Sequence, residues 1–261
     1  MASLERTVLS MAPQELSVVI PLRNRAGVRL ENCLASLRWQ DVSILPEVIL
    51  SDFGSTPDSS EQIQETADRY QARIVHTDTD EIWNRSRALN IGIQAATGQI
   101  VMCTDCDMIF APDFLKTALD TISDSDGQTL VLCACRDLPE SLAEQRWSVD
   151  DFPRLLQAAP SYRKGGGTGA CQVACRQWFV DVRGYDEKYV FWGYEDKDLV
   201  RRASKSGLAL RWIHDRTQML HQWHPTTKFD RLWRRRLNRL RYKLTGGVVR
   251  KNRSGWGTLD R

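Results

Sequence analysis

Two aspartates one residue apart, Asp105 and Asp107, have the spacing and the context of a cation or ligand site. They directly follow an apolar segment at residues 100–103, which predicts a buried strand. Side chains alternate along extended backbone, so both carboxylates are expected on the same side. Paired carboxylates repel each other unless a cation lies near them, and open α/β sheets bind ligands at the carboxyl ends of their strands. A solvated turn is the alternative, and the preceding strand favours a site.

The composition is that of a soluble globular protein with one large α/β domain, or one domain and an appendage. The chain has 261 residues, 42% of them hydrophobic and 26% charged. No apolar run reaches the roughly 18 residues needed to span a bilayer, and we expect no secretory signal in residues 1–15. Seven cysteines, several within apolar segments, predict reduced thiols in a cytoplasmic protein. Cys103 and Cys106 lack a second pair with zinc-ligand spacing, so no zinc site is expected.

Strand and helix patterns alternate along the chain. Strands are predicted at residues 16–20 (ended by Pro21), 47–51, 72–76, 100–103, 128–134, 170–175 and 208–213. Helices are predicted at residues 28–39, 59–70, 85–96 and 112–122, and in a segment that ends near residue 206. Repeated units of this kind predict an α/β fold with a mostly parallel central sheet and helices on both faces. Residues 136–168 show no clear periodicity, which is typical of a functional or mobile insertion.

The C-terminal segment is strongly basic. Residues 228–253 contain eleven Lys and Arg against one Asp, a net charge of +10, so the rest of the chain carries about −7 of the total +3. A helix predicted at residues 229–244 places these apolar side chains along one side: Phe229, Leu232, Trp233, Leu237, Leu240 and Leu244. Four partners fit this helix: an anionic membrane, an acidic acceptor, nucleic acid and the acidic body of the protein itself. We therefore predict a domain at 1–225 and a basic amphipathic helix and tail at 226–261.

Seven short motifs in order resemble the GT-A glycosyltransferases of family 2. They are SVVIPLRN (17–24), VILSDFGST (48–56), RALNIG (87–92), TDCDM (104–108), RGYDE (183–187), FWGYEDKD (191–198) and HQWHP (221–225). The second half is similar to the bacterial chondroitin-polymerase and β-1,4-galactosyltransferase branch. The resemblance implies a Rossmann-like GT-A fold, with a nucleotide-sugar half at about 16–110 and an acceptor half at about 111–225. Two positions depart from the family pattern: Phe53 replaces an aspartate and Tyr194 replaces a glycine.

The resemblance implies a metal site. Asp107 would be the first ligand, Asp105 would assist it or contact the ribose, and His221 matches the histidine ligand of the family. His224, three residues further on, is the alternative histidine. Carboxylate and phosphate oxygens suit Mg²⁺ or Mn²⁺, and an added imidazole favours Mn²⁺.

Asp196 is the candidate general base, because glycosyl transfer needs a group that removes the proton of the acceptor hydroxyl. It lies beside Glu195 at the start of a predicted helix, where carboxylates are also favoured as capping groups. Glu195 is expected to contact acceptor hydroxyls. Asp198, two positions along the helix from Asp196, is expected to point away from it.

The resemblance also implies which residues hold the nucleotide sugar. Asp52 resembles the residue that reads the edge of uracil, and Trp192 and Gly193 would line the sugar site. The other implied contacts are Pro21, Arg23, Asn24, Arg87, Asn90 and Asp105. For Arg23, Arg85 and Arg87, a solvated surface position is an equal alternative to a contact with the diphosphate.

The predicted function is that of a metal-dependent, inverting glycosyltransferase. It would move a hexose or N-acetylhexosamine from a nucleotide sugar, with UDP expected, to a glycan, a lipid-linked sugar or a peptide. A sugar nucleotidyltransferase is one alternative, although residues 21–27 contain only Gly27 where a glycine-rich phosphate loop is usual. A non-enzymatic protein that binds nucleic acid or membrane through the basic helix is the other, and no specific nucleic acid is expected. The enzyme is expected in the cytoplasm, with peripheral contact to an anionic membrane face through residues 228–253.

Overall fold

A seven-stranded sheet forms the centre of the computed structural model, which describes residues 16–163, 167–191, 193–225 and 231–258. The strands in these residues are β1 (Leu16–Leu22), β2 (Glu47–Phe53), β3 (Arg73–Thr77), β4 (Ile100–Thr104), β5 (Met108–Phe110), β6 (Thr129–Leu132), β7 (Arg136–Asp137), β8 (Cys171–Cys175), β9 (Ala209–Trp212) and β10 (Met219–His221). The α-helices are α1 (Val28–Arg38), α2 (Pro57–Arg69), α3 (Arg85–Ala95), α4 (Phe114–Ser123), α5 (Phe152–Ala158), α6 (Arg176–Val182), α7 (Glu195–Lys205) and α8 (Arg231–Leu244).

The central sheet is mostly parallel, as the alternating patterns predict. Its order is β3-β2-β1-β4-β8-β6-β9. Strands β1 and β2, β2 and β3, β1 and β4, and β6 and β9 pair in parallel, whereas β8 runs antiparallel to both β4 and β6. The carboxyl ends of β1, β2 and β4 therefore meet at one edge, where the motif residues follow each strand.

Helices cover both faces of the sheet, which confirms the predicted layers. Val18 and Ile20 of β1 join a cluster with the apolar residues of α1, α2 and α4. Val19, between them, points to the other face and joins a cluster with residues of α3, α6 and α7. All three residues are fully buried, which explains why β1 reads as a continuous apolar run.

A second, three-stranded sheet of order β5-β10-β7 lies beyond the end of β4. Strand β10 pairs antiparallel with β5 and parallel with β7. The sequence analysis did not predict this sheet, because its strands have two or three residues each and pair across long stretches of chain.

One strand end was predicted wrongly, and two segments contain elements that the sequence analysis did not predict. Pro21 does not end β1, which continues to Leu22, because β4 pairs only with Leu16–Val19 and leaves Pro21 a partner on one side only. The segment 136–168 contains β7, two 3₁₀ turns and α5. His221 is the last residue of β10.

The basic helix α8 and the chain after it contact the body of the protein. Arg241 forms a double hydrogen bond with the buried carboxylate of Asp186, at 2.9 and 2.7 Å. The Asn252 side chain donates to the carbonyl oxygens of Arg183 and Tyr185. Residues 226–230 lie outside the described residues, so the domain boundary at 225 stays a prediction. No helix in the described part of the chain is long and apolar enough to cross a membrane.

Candidate active site

Asp107, His221 and His224 form one cluster of potential metal ligands. One ligand atom from each residue lies within 4.8 Å of the other two. The Nε2 atom of His221 lies 3.6 Å from Asp107 Oδ2, and the Nε2 atom of His224 lies 3.3 Å from the same oxygen. All three side chains are 15–19% exposed, so the cluster is half-enclosed and open on one side.

The small sheet brings these residues together from distant parts of the chain. His221 lies opposite Met108 in the β10–β5 pair, and the backbone N–H of Gln222 donates to the carbonyl oxygen of Asp107. In the β10–β7 pair His221 lies opposite Asp137, whose Oδ1 is 3.0 Å from His221 Nδ1. Asp137 is in turn held by Arg163. A histidine whose Nδ1 meets a carboxylate presents its Nε2 lone pair to a metal in a fixed orientation.

The electrostatics of the cluster favour a cation. Burial would raise the pKa of Asp107, but hydrogen bonds with His221 and His224 and their charges outweigh burial and hold this pKa below its usual range. Burial would lower the pKa of His221, but Asp107 and Asp137 together raise it to about 9. Asp107 Oδ1 is buried without a hydrogen-bond partner among the described residues. A carboxylate with an unsatisfied oxygen and two imidazoles around one point fits a divalent transition metal.

Asp105 does not join this cluster. Residues 106 and 107 form a turn between β4 and β5, so the alternation expected of extended backbone does not continue through them. Asp105 instead accepts a hydrogen bond from Arg85 Nε at 2.9 Å and lies 2.7 Å from Arg85 Nη2. Its assistance to the metal and its contact with the ribose, the two roles that the resemblance implies, stay predictions.

Arg85 is buried at the start of α3, so the surface position that the sequence left open for it is wrong. Besides Asp105, its guanidinium donates to the carbonyl oxygen of Gly169 at 2.9 Å and lies 3.8 Å from Glu195. Burial would lower the pKa of Arg85, but the charges of Asp105 and Glu195 outweigh burial and raise it above its usual value. Arg85 is therefore a fixed positive charge between two carboxylates.

Two cavities meet at Arg85 and Asp105, which line both of them. The first cavity, of about 340 Å³, is lined by Pro21, Leu22, Arg23, Arg25, Trp83, Arg85, Asp105, Cys106, Asp107, Phe191 and His224. The second cavity, of about 300 Å³, is lined by Arg85, Asp105, Arg163, Gly167, Thr168, Gly169, Ala170, Gly193, Tyr194, Glu195, Asp196, Lys197 and Arg235. Two of the candidate metal ligands thus line the first cavity, and the candidate base lines the second.

Glu195 and Asp196 begin α7 at the wall of the second cavity. Asp196 accepts a hydrogen bond from the Thr168 hydroxyl, which fixes the carboxylate, and a Cβ at Gly169 would lie only 3.2 Å from Asp196 Cβ. Glu195 is buried, and its Oε2 has no hydrogen-bond partner among the described residues. Burial and the charge of Asp196 raise the pKa of Glu195 to about 7, although Arg85 opposes the shift. Glu195 can therefore hold or release a proton near neutral pH.

The loop before α7 adopts left-handed backbone conformations. Phe191 has φ 74°, Gly193 has φ 100° and Tyr194 has φ 75°. Non-glycine residues in this region are strained, and such strain is concentrated at functional sites. Phe191 lines the first cavity, and Gly193 and Tyr194 line the second. Trp192, predicted to line the sugar site, lies outside the described residues.

Pro21 and Arg23 line the first cavity, at the carboxyl end of β1. The guanidinium of Arg23 donates to the backbone carbonyl oxygens of Phe53, Thr79 and Glu81. Arg23 therefore ties the loops after β2 and β3 to β1, and it borders the cavity as a positive charge.

Asn24 and Asp52 organise the loops beside the first cavity and do not line it. The Asn24 side chain accepts from the Thr56 N–H at 2.8 Å. Asp52 is 1% exposed and accepts from the Ser55 N–H and the Ser60 hydroxyl. His76 Nδ1 lies 3.1 Å from Asp52 Oδ2, the oxygen that also accepts from Ser60. The predicted contact of Asp52 with a uracil edge would need these groups to open, and it stays a prediction.

Arg87 and Asn90 also lie away from both cavities. Arg87 pairs with Glu81 at 2.8 Å and Glu187 at 3.2 Å. Asn90 is fully buried, and its side chain bonds to the backbone of Tyr185 and to the Glu187 carboxylate. These bonds join α3 to the RGYDE segment. Asn90 thus has a structural role, and its predicted contact with the nucleotide sugar stays a prediction.

Asp198 points away from the second cavity, as expected, but it is not exposed. It is fully buried and pairs with the buried Arg202 at 2.8 Å and with Arg201 at 3.0 Å. The Tyr189 hydroxyl lies 3.4 Å from the same carboxylate. This network stabilises the fold behind α7.

Sequence reasoning missed Asp137, Arg163 and Thr168. Asp137 and Arg163 position His221, and Thr168 positions Asp196. They lie in or near the segment without clear periodicity, where no spacing pattern marked them. The lack of periodicity in residues 136–168, which is typical of a functional or mobile insertion, was the only sequence signal that pointed to these residues.

Two protein-family descriptions match the chain. Glycosyl transferase family 2 matches residues 17–182, and the family described as the N-terminal domain of galactosyltransferase matches residues 158–225. The first match contains β1 to α6 with Asp105 and Asp107, and the second contains Asp196, His221 and His224. The two cavities thus combine elements from both matches.

Curated relatives include the chondroitin synthase of Escherichia coli, 24% identical over 76% of this chain and 33% of that protein. The validoxylamine A glucosyltransferase of Streptomyces hygroscopicus subsp. jinggangensis is 26% identical over 75% of this chain and 52% of that protein. The chain therefore spans about a third and about half of the length of these relatives.

Solved structures with the same fold include a mannosyltransferase from Pyrobaculum calidifontis in complex with GDP-Man and Mn²⁺. It has a TM-score of 0.61 and 20% identity, over 94% of this chain and 68% of that chain. GalNAc-T7 with UDP, GalNAc and Mn²⁺ has a TM-score of 0.63 and 16% identity, over 88% of this chain and 48% of that chain. The fold is thus that of GT-A glycosyltransferases, and the match over residues 17–182 shows that the chain belongs to glycosyl transferase family 2.

Proposed function

We propose that the protein transfers a hexose or N-acetylhexosamine from a nucleotide sugar, with UDP as the favoured nucleotide, to an acceptor hydroxyl. The transfer would be a direct displacement with inversion at the anomeric carbon. The observation that carries this proposal is the pair of cavities that share Arg85 and Asp105, with the metal-type cluster on one side and Asp196 on the other.

The first cavity is the proposed donor site. Asp107, His221 and His224 would hold a divalent ion, which when bound would neutralise the charge that develops on the diphosphate leaving group. Two imidazoles beside one carboxylate favour Mn²⁺ over Mg²⁺. Arg23 and Arg25 at the same cavity would add positive charge near the phosphates. Mn²⁺ accompanies a nucleotide or nucleotide sugar in both similar structures, which supports the proposal.

The junction of the two cavities is the proposed position of the transferred sugar. Arg85 and Asp105 border both spaces, so a sugar held there can be approached from the second cavity while its diphosphate lies in the first. The ion pair gives this junction one hydrogen-bond donor and one acceptor, both of which suit sugar hydroxyls.

Asp196 is the proposed general base. Thr168 occupies one of its oxygens, which leaves the other to accept the proton of an acceptor hydroxyl in the second cavity. Glu195 would bind a neighbouring hydroxyl of the acceptor. Because its pKa is about 7, Glu195 is half protonated near neutral pH and can donate as well as accept a hydrogen bond.

The acceptor is proposed to be a glycan, a lipid-linked sugar or a peptide. The second cavity is lined both by carboxylates and by the cationic side chains of Arg163, Lys197 and Arg235. Such mixed polarity suits a hydroxylated ligand.

Thermal-shift measurements with nucleotide sugars, with and without Mn²⁺, test the proposal. The wild-type protein should gain about 2.7 kcal/mol of unfolding free energy at a ligand concentration of about 100 times the dissociation constant. Asp107→Ala should lose the Mn²⁺-dependent part of this gain. Asp124→Ala, a change of the same kind at an exposed aspartate, should keep it. Equal Mn²⁺-dependent stabilisation of Asp107→Ala would refute the metal site.

A further inference from the structure

Helix α8 carries an exposed apolar stripe on its outer side. Trp233, Leu237, Leu240 and Leu244 are spaced by four, three and four residues, which places them on one face of a helix. Their exposed fractions are 54%, 54%, 53% and 75%. The other exposed large hydrophobic residues in the described chain are more buried and lie away from α8 in the sequence, apart from Val248, which follows it. Contiguous apolar surface of this kind marks an interaction site.

The polar side of α8, and not its apolar side, faces the protein. Asn238 is buried and donates to the Val190 carbonyl oxygen, and Arg241 binds Asp186. The Arg201 guanidinium stacks on the Tyr242 ring, 3.8 Å from its centroid. An ordinary surface helix packs its apolar stripe on the core, so the orientation of α8 is the reverse of the usual one. Packing within the described residues therefore does not account for the stripe.

Basic side chains flank the stripe. The sequence of α8 contains seven Arg and Lys and no acidic residue. Arg236, Arg239 and Lys243 are exposed and form no ion pair with an acidic side chain in the described part of the chain. The basic helix thus does not use these charges to hold itself to the acidic body of the protein.

We propose that the outer face of α8 docks on an anionic phospholipid bilayer. The four apolar side chains would enter the boundary between head groups and acyl chains, and the flanking cations would contact lipid phosphates. A nucleic acid would match the charge and leave the apolar stripe exposed to water. A second copy of the chain would cover the stripe, but a two-fold interface would bring two helices of the same high charge together. The bilayer is the partner that satisfies both features.

Vesicle co-sedimentation of the full chain tests this proposal. The probes are vesicles of equal parts phosphatidylglycerol and phosphatidylcholine, and vesicles of phosphatidylcholine alone. The wild-type protein should bind the anionic vesicles, and much less of it should bind the neutral ones. Leu240→Glu should weaken binding at least about tenfold, because it removes one of the leucines that would be buried in the bilayer. Leu210→Glu, the same change at an exposed leucine on β9, should have little effect.

Two further variants test the charges separately. Arg236→Gln and Arg239→Gln should each weaken binding to anionic vesicles about fivefold and reduce its dependence on salt. Absence of vesicle binding by the wild type, or equal losses for Leu240→Glu and Leu210→Glu, would overturn the proposal. So would self-association of the wild type that Leu240→Glu abolishes, since a second copy would then cover the stripe. Vesicle binding needs no donor and no metal, so these outcomes leave the proposed function untouched.

Discussion

Binding of Mn²⁺ should depend steeply on pH, because the ion and a proton compete for His221. Asp107 and Asp137 raise the pKa of His221 to about 9 in the metal-free protein, so about 1% of the imidazole is neutral at pH 7. Coordination needs the neutral imidazole, and each unit of pH below about 9 therefore reduces the apparent affinity about tenfold. Asp107 stays ionised across this range, because its own pKa is lowered. Affinity should thus rise about 100-fold from pH 6.5 to 8.5 and level off above about 9.

Electron paramagnetic resonance of free Mn²⁺, measured in titrations at several pH values, gives these affinities directly. His221→Ala should bind Mn²⁺ more weakly at pH 8.5 and with a much flatter pH dependence, because the competing proton is gone. His214→Ala, a change of the same kind at a ring that lies against Trp212 and Tyr162, should keep the slope of the wild type. Tight binding by the wild type with no pH dependence, or an unchanged slope in His221→Ala, would refute His221 as a ligand.

Three further predictions concern α7. Asp196→Asn should lower kcat by about 10²–10⁴-fold with KM for donor and acceptor little changed, because it removes the base and keeps the shape; a near wild-type transfer rate would refute the mechanism. Glu195→Gln should reduce kcat less and should remove an inflection near pH 7 from the pH–rate profile. Asp198→Asn should leave the activity of the folded protein unchanged and lower the unfolding free energy by about 3 kcal/mol in a denaturant titration, because it leaves the buried Arg202 without its counter-ion. An unchanged unfolding free energy would show that the pair of Asp198 and Arg202 does not stabilise the fold.

The central sheet was predictable because its signals are local. Most of the long strands are runs of apolar residues, and helices α1 to α4 and α7 have patterns of their own, so the layers follow from short windows of sequence. The fully buried Val18, Val19 and Ile20 illustrate this, since both faces of β1 are covered. Only the antiparallel direction of β8 was not visible, because direction depends on how the connecting segment returns to the sheet.

The site was predictable in part. Motif order pointed to Asp107, to His221 with His224 as its alternative, and to Asp196 as candidates, whereas partners that meet only in three dimensions could not be found. His221 and Asp137 are joined by a pair of two- and three-residue strands, which leave no periodic signal. Arg85 is buried through contacts with two segments far along the chain, and nothing in its local sequence distinguishes it from the exposed arginines.

Tyr194 shows how the structure explains a departure from the family pattern. The position has φ 75°, which glycine adopts freely and tyrosine adopts at a cost of about 1–2 kcal/mol. The Tyr194 ring lies 5.5 Å from the Tyr242 ring of α8. An aromatic pair of this kind contributes about 0.5–1.5 kcal/mol, which offsets much of the conformational cost. The same ring lines the second cavity and an adjoining cavity of about 270 Å³ bordered by Arg235, Arg236 and Arg239. The tyrosine therefore joins the wall of the proposed acceptor site to the basic helix, which a glycine at this position could not do.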